Sequence, residues 1–134
     1  MTGAVRMSKQ RILMVVDDSL VNRRLITAQL KGSLYTVVEC ADGRIALDYL
    51  RIHHSEVCLV LLDISMPDMS GVSVCQIVRE EIETGAGHLP IIAYTAHALP
   101  NERQQFLNAG FDDLLVKPFV KDDLMAIIEK FVEK

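Results

Sequence analysis

A chain of 134 residues suits a single globular core, which usually takes roughly 100 to 200 residues, and leaves no room for a second. Half of it is apolar and 24 % is charged, the balance of a foldable domain, and the longest apolar run, Val57 to Leu62, is far shorter than the ~18 residues that cross a bilayer. Fourteen basic and eighteen acidic side chains give a formal charge of −4, opposite in sign to what a phosphate backbone attracts, so neither direct nucleic-acid binding nor membrane insertion is expected.

Residues 1–10 carry no apolar segment of the signal-peptide kind and read as a tail, which leaves 11–134 as the domain. Apolar runs then alternate with segments of helical period in the order βαβαβαβαβα. The first strand is Ile12 to Val16. Ser19 can cap a helix whose Val21, Leu25 and Ala28 recur at i, i+4 and i+7. A strand from Tyr35 to Cys40 follows, and Asp42 can start a second helix with Ala46, Tyr49 and Leu50 on one face. The strand Val57 to Leu62 leads into a loop containing Pro67 and Gly71. The third helix carries the stripe Val74, Ile77, Val78 and Ile82, and the glycines at 85 and 87 end it.

Pro90 to Tyr94 is the fourth strand. The fourth helix, Asn101 to Ala109, has only Phe106, Leu107 and Ala109 to bury, so weak packing makes it the candidate mobile element. Gly110 closes it, Phe111 to Val116 forms the fifth strand, and Val120, Leu124, Ile127, Ile128 and Phe131 stripe the last helix. Strands that are apolar throughout are covered on both faces. Their alternation with crossover helices means an α/β fold with an open, doubly wound, five-stranded parallel sheet. Cys40, Cys58 and Cys75 are odd in number, lack paired spacing and have apolar neighbours. They read as buried thiols in a reducing, cytoplasmic compartment.

Ligands of such sheets gather beyond the carboxyl ends of the strands. Four strands end there in reactive groups: Asp17 and Asp18, Asp63, Thr95, and Lys117. Each alone has an ordinary explanation as a cap, a turn residue, a strand-end threonine or a surface lysine. Together, three carboxylates on one edge with a single base would repel unless a cation joined them. Oxygen-only donors select a hard ion, and a partly hydrated site of this kind suits Mg²⁺. One carboxylate could then attack phosphorus and form an aspartyl phosphate, with Lys117, Thr95 and backbone N–H groups meeting the phosphoryl oxygens.

The stretches Ile12-Leu-Met-Val-Val-Asp17-Asp18-Ser-Leu-Val-Asn22-Arg23, Leu59-Val-Leu-Leu-Asp63-Ile-Ser-Met-Pro67-Asp-Met-Ser-Gly71, Ile91-Ile-Ala-Tyr-Thr95-Ala96 and Leu114-Leu-Val-Lys117-Pro118-Phe119 resemble the receiver domain of two-component response regulators. The resemblance runs from Arg11 to Lys134 and implies a flavodoxin-like (βα)5 fold. It also implies that Asp63 accepts a phosphoryl group from a histidine kinase or histidine phosphotransfer protein. Mg²⁺ would be held by Asp18, Asp63 and the backbone carbonyl of Ser65, with Asp17 reaching it mainly through water, and Thr95 and Lys117 would contact the phosphoryl group. A cis Lys117-Pro118 bond, and signalling to a downstream protein through the fourth helix, fifth strand and fifth helix, complete what is implied.

Two departures stand out. Leu114 occupies the place, three residues before the lysine, where the family usually has Tyr or Phe, so output is expected to couple through the loop after Thr95 and the fourth helix. Alternatively, Leu114 is simply core. Ser65 and His97 flank the site where family members vary, in positions that influence the lifetime of the aspartyl phosphate. His53, His54 and His88 read as solvated surface.

The expected function is a phosphorylation-controlled switch that catalyses its own phosphoryl transfer and hydrolysis without turning over a small substrate. Alternatives are a Mg²⁺-dependent phosphatase with an aspartyl intermediate, a flavin or nucleotide carrier, and a phosphorylation-independent adaptor. The phosphatase typically needs a second Asp two residues after the nucleophile, where this chain has Ser65. The carrier needs a Gly, Ser and Thr loop where this chain has two acids. As a whole protein, a stand-alone regulator, a relay intermediate and a hybrid-kinase receiver all remain in play.

Overall fold

The computed structural model describes residues 11–83, 87–96 and 100–132. Strands β1 (Ile12–Val16), β2 (Thr36–Cys40), β3 (Val57–Asp63), β4 (Ile91–Thr95) and β5 (Asp113–Val116) alternate with helices α1 (Leu20–Gln29), α2 (Gly43–His53), α3 (Gly71–Ile77), α4 (Pro100–Asn108) and α5 (Lys121–Phe131). The tail at 1–10, Gly85 and His97 lie outside the described residues. Among the described residues, no helix is long and apolar enough to cross a membrane.

All five strands form one parallel sheet in the order β2-β1-β3-β4-β5. The order reverses between β1 and β3, because the chain steps outward to β2 first and then to the other side. The crevice beyond their carboxyl ends is therefore the place for a site. Alternate residues of each strand feed two cores. Met14, Val16, Val60, Leu62 and Ala93 pack under α2 and α3. Leu13, Val15, Leu59, Leu61, Ile92 and Tyr94 pack under α1 and α5 against Ile26, Leu30, Leu124 and Ile128. Burial on both faces is what the unbroken apolar strands require.

Two stripes differ from the sequence reading. Val21, Leu25 and Ala28 of α1 face outward, with Val21 67 % and Leu25 56 % exposed, while Ile26 and Leu30 are the buried pair. The phase is set by polar groups on the inner side that have partners. Arg23 donates to Asp17 O at 2.7 Å and to Glu39 Oε1 at 3.3 Å, and Thr27 donates to Glu39 Oε2 at 2.8 Å. A satisfied arginine can lie inward along its stem, which leaves aliphatic residues outside. Val120 is also exposed, because it precedes the first turn of α5 and Leu124 and Ile128 carry the burial.

α3 widens into a π turn, Val78–Ile82, closed by Glu83 N–H to Val78 O at 2.9 Å. Arg79 on that turn bonds the Glu83 carboxylate, Gly110 O at 3.0 Å, and Asp112 Oδ2 at 2.8 Å. It fastens α3 to the strand ends opposite the reactive edge. His88 is not merely solvated, since its Nε2 lies 2.6 Å from Asp112 Oδ1. His53 pairs with Glu56 at 2.8 Å, and His54 with Leu50 O at 3.2 Å. The three cysteines are free, with Cys40 and Cys75 buried and Cys58 half-buried.

Candidate functional site

Val16 pairs with Leu62 in the sheet, and Asp63 pairs with Tyr94. This register sets Asp17, Asp63 and Thr95 side by side at the carboxyl edge. Carboxylate oxygens of Asp17, Asp18 and Asp63 lie within 4.8 Å of one another, with Asp17 and Asp63 buried and Asp18 exposed. Lys117 reaches the same place from the end of β5, with Nζ 3.5 Å from Asp17 Oδ2 and 3.6 Å from Asp63 Oδ1. Thr95 is buried at the end of β4, and its carbonyl accepts from Lys117 N–H at 2.8 Å. Ser65 stands beside Asp63 because its N–H donates to Asp63 Oδ1 at 3.1 Å. The Lys117-Pro118 bond is cis.

The backbone around Asp63 is closely packed. A Cβ at Gly71 would meet Asp63 O at 2.4 Å, so only glycine lets α3 begin against the end of β3. Ser70 caps that helix by accepting from Ser73 N–H, and Ser19 does the same for α1 from Asn22 N–H. At the start of α1 the Ser19 N–H donates to Asp17 Oδ1 at 2.9 Å, and at the start of α3 the Gly71 N–H donates to Ile64 O at 3.1 Å, next to Asp63.

Burial pushes the Asp63 carboxyl up to about 6, and the neighbouring Asp17 charge pushes the same way, against the Ser65 amide and Lys117. Asp17 goes the other way. Burial alone would raise it, but the Tyr94 hydroxyl, the Ser19 amide and Lys117 outweigh that and hold it below the ordinary carboxylate range. An acid with a raised pKa beside an ionised one is an electrostatic conflict that a dication relieves. The donor set is three carboxylates with no His or Cys among them, which fits a hard ion such as Mg²⁺ and not a softer metal.

Every reactive residue expected from the sequence is at this edge. Tyr94 was missed: its hydroxyl donates to Asp17 Oδ2 at 2.5 Å. The available signal was a lone phenol in an apolar strand one residue before Thr95, since a buried tyrosine hydroxyl needs a partner.

The model for the response regulator receiver domain matches residues 13–129. The chain belongs to the receiver domain family. Among curated relatives, this receiver domain is 33 % identical to hybrid signal transduction histidine kinase I of Dictyostelium discoideum over 96 % of the chain and 8 % of that protein. It is 35 % identical to the sensor histidine kinase RcsC of Escherichia coli over 98 % and 13 %, and 37 % identical to the probable transcriptional regulator ycf27 of Cyanophora paradoxa over 97 % and 51 %. The chain therefore spans about half or less of these relatives. Among solved structures, the receiver domain of the sensor histidine kinase PA1611 of Pseudomonas aeruginosa, with a magnesium ion in its active-site cleft, superposes with TM-score 0.77. The two are 32 % identical, over 91 % of this chain and 97 % of that one. The chemotaxis protein CheY4 of Vibrio cholerae gives 0.79 at 27 % identity over 92 % and 99 %. Membership places the chain in two-component, phosphorelay signalling.

Proposed function

We propose that Asp63 takes a phosphoryl group from a phosphohistidine on a histidine kinase or phosphotransfer protein. The resulting aspartyl phosphate would switch the domain between two states. The observation that carries this reading is the convergence of Asp17, Asp18, Asp63 and Lys117 on one strand edge. An Asp63 oxygen attacks phosphorus, an O–P bond forms, the N–P bond of the donor breaks, and the imidazole leaves as a neutral base on taking up a proton. Lys117 is close enough to Asp63 to follow the new charge, and the Thr95 hydroxyl at the next strand end can donate to a phosphoryl oxygen. Asp18, Asp63 and the Ser65 carbonyl, with Asp17 through water, would hold Mg²⁺, which when bound would supply charge compensation for the phosphoryl oxygens. Attack of water on the same phosphorus forms a new O–P bond, breaks the Asp63 O–P bond and releases inorganic phosphate with a proton, which returns the carboxylate, so the domain resets itself.

The outward apolar face of α1 supports a protein donor. Leu20, Val21 and Leu25 are exposed, and a cleft of about 140 Å³ between Leu25 and Phe119 is lined also by Lys117. Exposed aliphatic residues beside a buried acid suit a helical partner that presents its histidine to Asp63. Signalling is assigned to α4, β5 and α5. No described side chain of α4 is fully buried, and Asp113 of β5 bonds Arg103 of α4 at 3.0 Å and Lys130 of α5 at 3.2 Å. A lightly packed helix joined to its neighbours by charge is a suitable two-state element.

Acetyl phosphate with Mg²⁺ should add one phosphoryl group, read by intact-mass spectrometry, and Asp63→Ala should take none. Full labelling of Asp63→Ala would reject the assignment. Steady release of phosphate from small esters would favour the hydrolase, and no labelling of the wild type would favour the adaptor.

A further inference from the structure

Tyr94 stands near the carboxyl end of β4, the strand next to the β5 edge, and is 1 % exposed, so its hydroxyl must find its partner within the protein. Burying it without a bond would cost more than the packing of its ring requires. Its partner is Asp17 Oδ2 at 2.5 Å. The other oxygen of the same carboxylate, Oδ1, accepts from Ser19 N–H at 2.9 Å. A carboxylate held at both oxygens keeps one orientation; without the phenol, Asp17 would keep the Ser19 amide but otherwise depend on the flexible Asn22 and Lys117 side chains, and would turn more freely about its Cβ–Cγ bond.

The face of the same ring meets the base of the site. Lys117 Nζ sits 4.5 Å from the Tyr94 centroid, and Phe119 packs edge-on against the ring with centroids 6.4 Å apart. An ammonium over a phenol face is attracted by its quadrupole, most strongly where water is scarce. Lys117 is also shared almost equally between Asp17 and Asp63, at 3.5 and 3.6 Å. Without the hydroxyl, Asp17 Oδ2 would lean on Lys117 for compensation and draw it off Asp63.

We propose that Tyr94 is a positioning residue of the phosphorylation site, its hydroxyl aiming Asp17 and its ring face seating Lys117 between Asp17 and Asp63. This rests on the phosphoacceptor reading of Asp63 given above. A phenylalanine would fill the same space in the core, so packing alone does not account for the hydroxyl.

Tyr94→Phe keeps the ring and removes the aim, and Tyr94→Leu removes both. Three measurements compare them with wild type: the amide spectrum of metal-free protein, Mg²⁺ titration by calorimetry, and single-turnover labelling by acetyl phosphate at saturating Mg²⁺. In Tyr94→Phe, the Ser19 amide resonance shifts before any metal is added, and both Mg²⁺ affinity and labelling rate fall by about five- to tenfold, as expected for loss of one charge-assisted bond. In Tyr94→Leu, the labelling rate falls further with no additional loss of Mg²⁺ affinity. If Tyr94→Leu does not fold, Tyr94→Phe alone decides. Wild-type values throughout for Tyr94→Phe would reduce the residue to packing and overturn the proposal. Tighter Mg²⁺ binding would overturn it as well, because the hydroxyl would then be competing with the ion for Oδ2. A wild type that neither binds Mg²⁺ nor takes the label would sink the phosphoacceptor reading, and this inference with it. A labelled wild type matched by Tyr94→Phe sinks only this inference.

Discussion

The ammonium of Lys117 lies 3.6 Å from the Asp63 carboxylate, although β4 separates the strands that carry them. The lysine crosses the end of β4 along the Tyr94 ring and partly neutralises a pocket that a dication would also enter. Lysine and ion therefore compete. Removing the lysine in Lys117→Met should tighten Mg²⁺ binding by about tenfold or more, since one unit charge a few ångströms from a dication repels it by about 1 kcal/mol or more even at the dielectric of water. The same change should slow labelling by acetyl phosphate by roughly ten- to a hundredfold, because the developing phosphoryl charge loses its counter-ion. Calorimetry and labelling kinetics read the two effects separately, and a parallel loss of both would contradict the competition.

The raised carboxyl of Asp63, near 6, makes stability depend on pH in a definite direction. Between its ordinary value of 3.8 and about 6, the folded protein holds a proton that the unfolded chain has released. Stability is thus greatest below that window and falls as pH rises through it. The metal-free wild type should lose about 2 to 3 kcal/mol relative to Asp63→Asn between about pH 4 and pH 7.5. Mg²⁺ at neutral pH should restore the difference, since it binds the folded form alone. Asp17, held low, contributes in the opposite sense, with stability that disappears only as pH falls below the ordinary carboxylate range. Urea denaturation across about pH 4 to 7.5 checks the Asp63 effect, and the same measurement carried below the ordinary carboxylate range checks Asp17; a wild type parallel to Asp63→Asn would remove the electrostatic conflict.

The strands and the reactive edge could be read from the chain because each signal is local. Val57 to Leu62 has no polar residue, so both faces must be covered, and a parallel sheet sends every strand end to one side. What failed depended on distant partners. Arg23 and Thr27 turn inward because Glu39 on β2 satisfies them, and nothing near α1 in sequence announces that. Tyr94 and Asp17 are separated by 77 positions. The π turn at Val78–Ile82 accompanies the Arg79 bonds to Gly110 and Asp112, which a stripe of apolar residues does not disclose.

The outward Val21 and Leu25 should matter to a protein donor and not to a small one. Val21→Gln with Leu25→Gln should change stability by no more than about 0.5 kcal/mol, as for exposed positions generally. Labelling by acetyl phosphate should be unchanged within about twofold, while transfer from a phosphorylated histidine phosphotransfer domain slows by about tenfold or more, the scale of losing two interface anchors. Equal rates from both donors in mutant and wild type would place the docking face elsewhere.

Arg79 joins the Glu83 carboxylate, Asp112, Gly110 and Leu89 at the end of the sheet remote from Asp63. Its side chain is only 16 % exposed. Arg79→Ala would leave the partly buried Glu83 and Asp112 with only His88 and the Leu89 and Ile91 amides beside them, and should cost about 3 kcal/mol. Since none of these groups reaches the acidic edge, Mg²⁺ affinity should stay at the wild-type value in the folded fraction. A cost below about 1 kcal/mol, measured by urea denaturation, would mean that the cluster behaves as exposed surface pairs do.

Leu114 is half-buried and packs against the core under α2 and α3, as does Phe106 of α4. With no aromatic ring at this position to swing inward, the proposed signalling through this face would draw on α4, none of whose described side chains is fully buried. Its inner contacts include Phe106 edge-on to Phe111, with centroids 6.0 Å apart, and the Arg103 to Asp113 pair. Burial works to raise the Asp113 carboxyl, but the Leu114 amide, Lys130 and Arg103 hold it below the ordinary range, so the acid stays charged and the pair persists at neutral pH. Arg103→Gln should therefore raise hydrogen exchange across α4 while leaving acetyl phosphate labelling of Asp63 intact. Phosphorylation should perturb α4 amides in wild type and in Leu114→Tyr alike in extent but not in pattern, because a ring at position 114 would add a second coupling route. Identical patterns in the two proteins would show that position 114 takes no part in the response and acts as core alone.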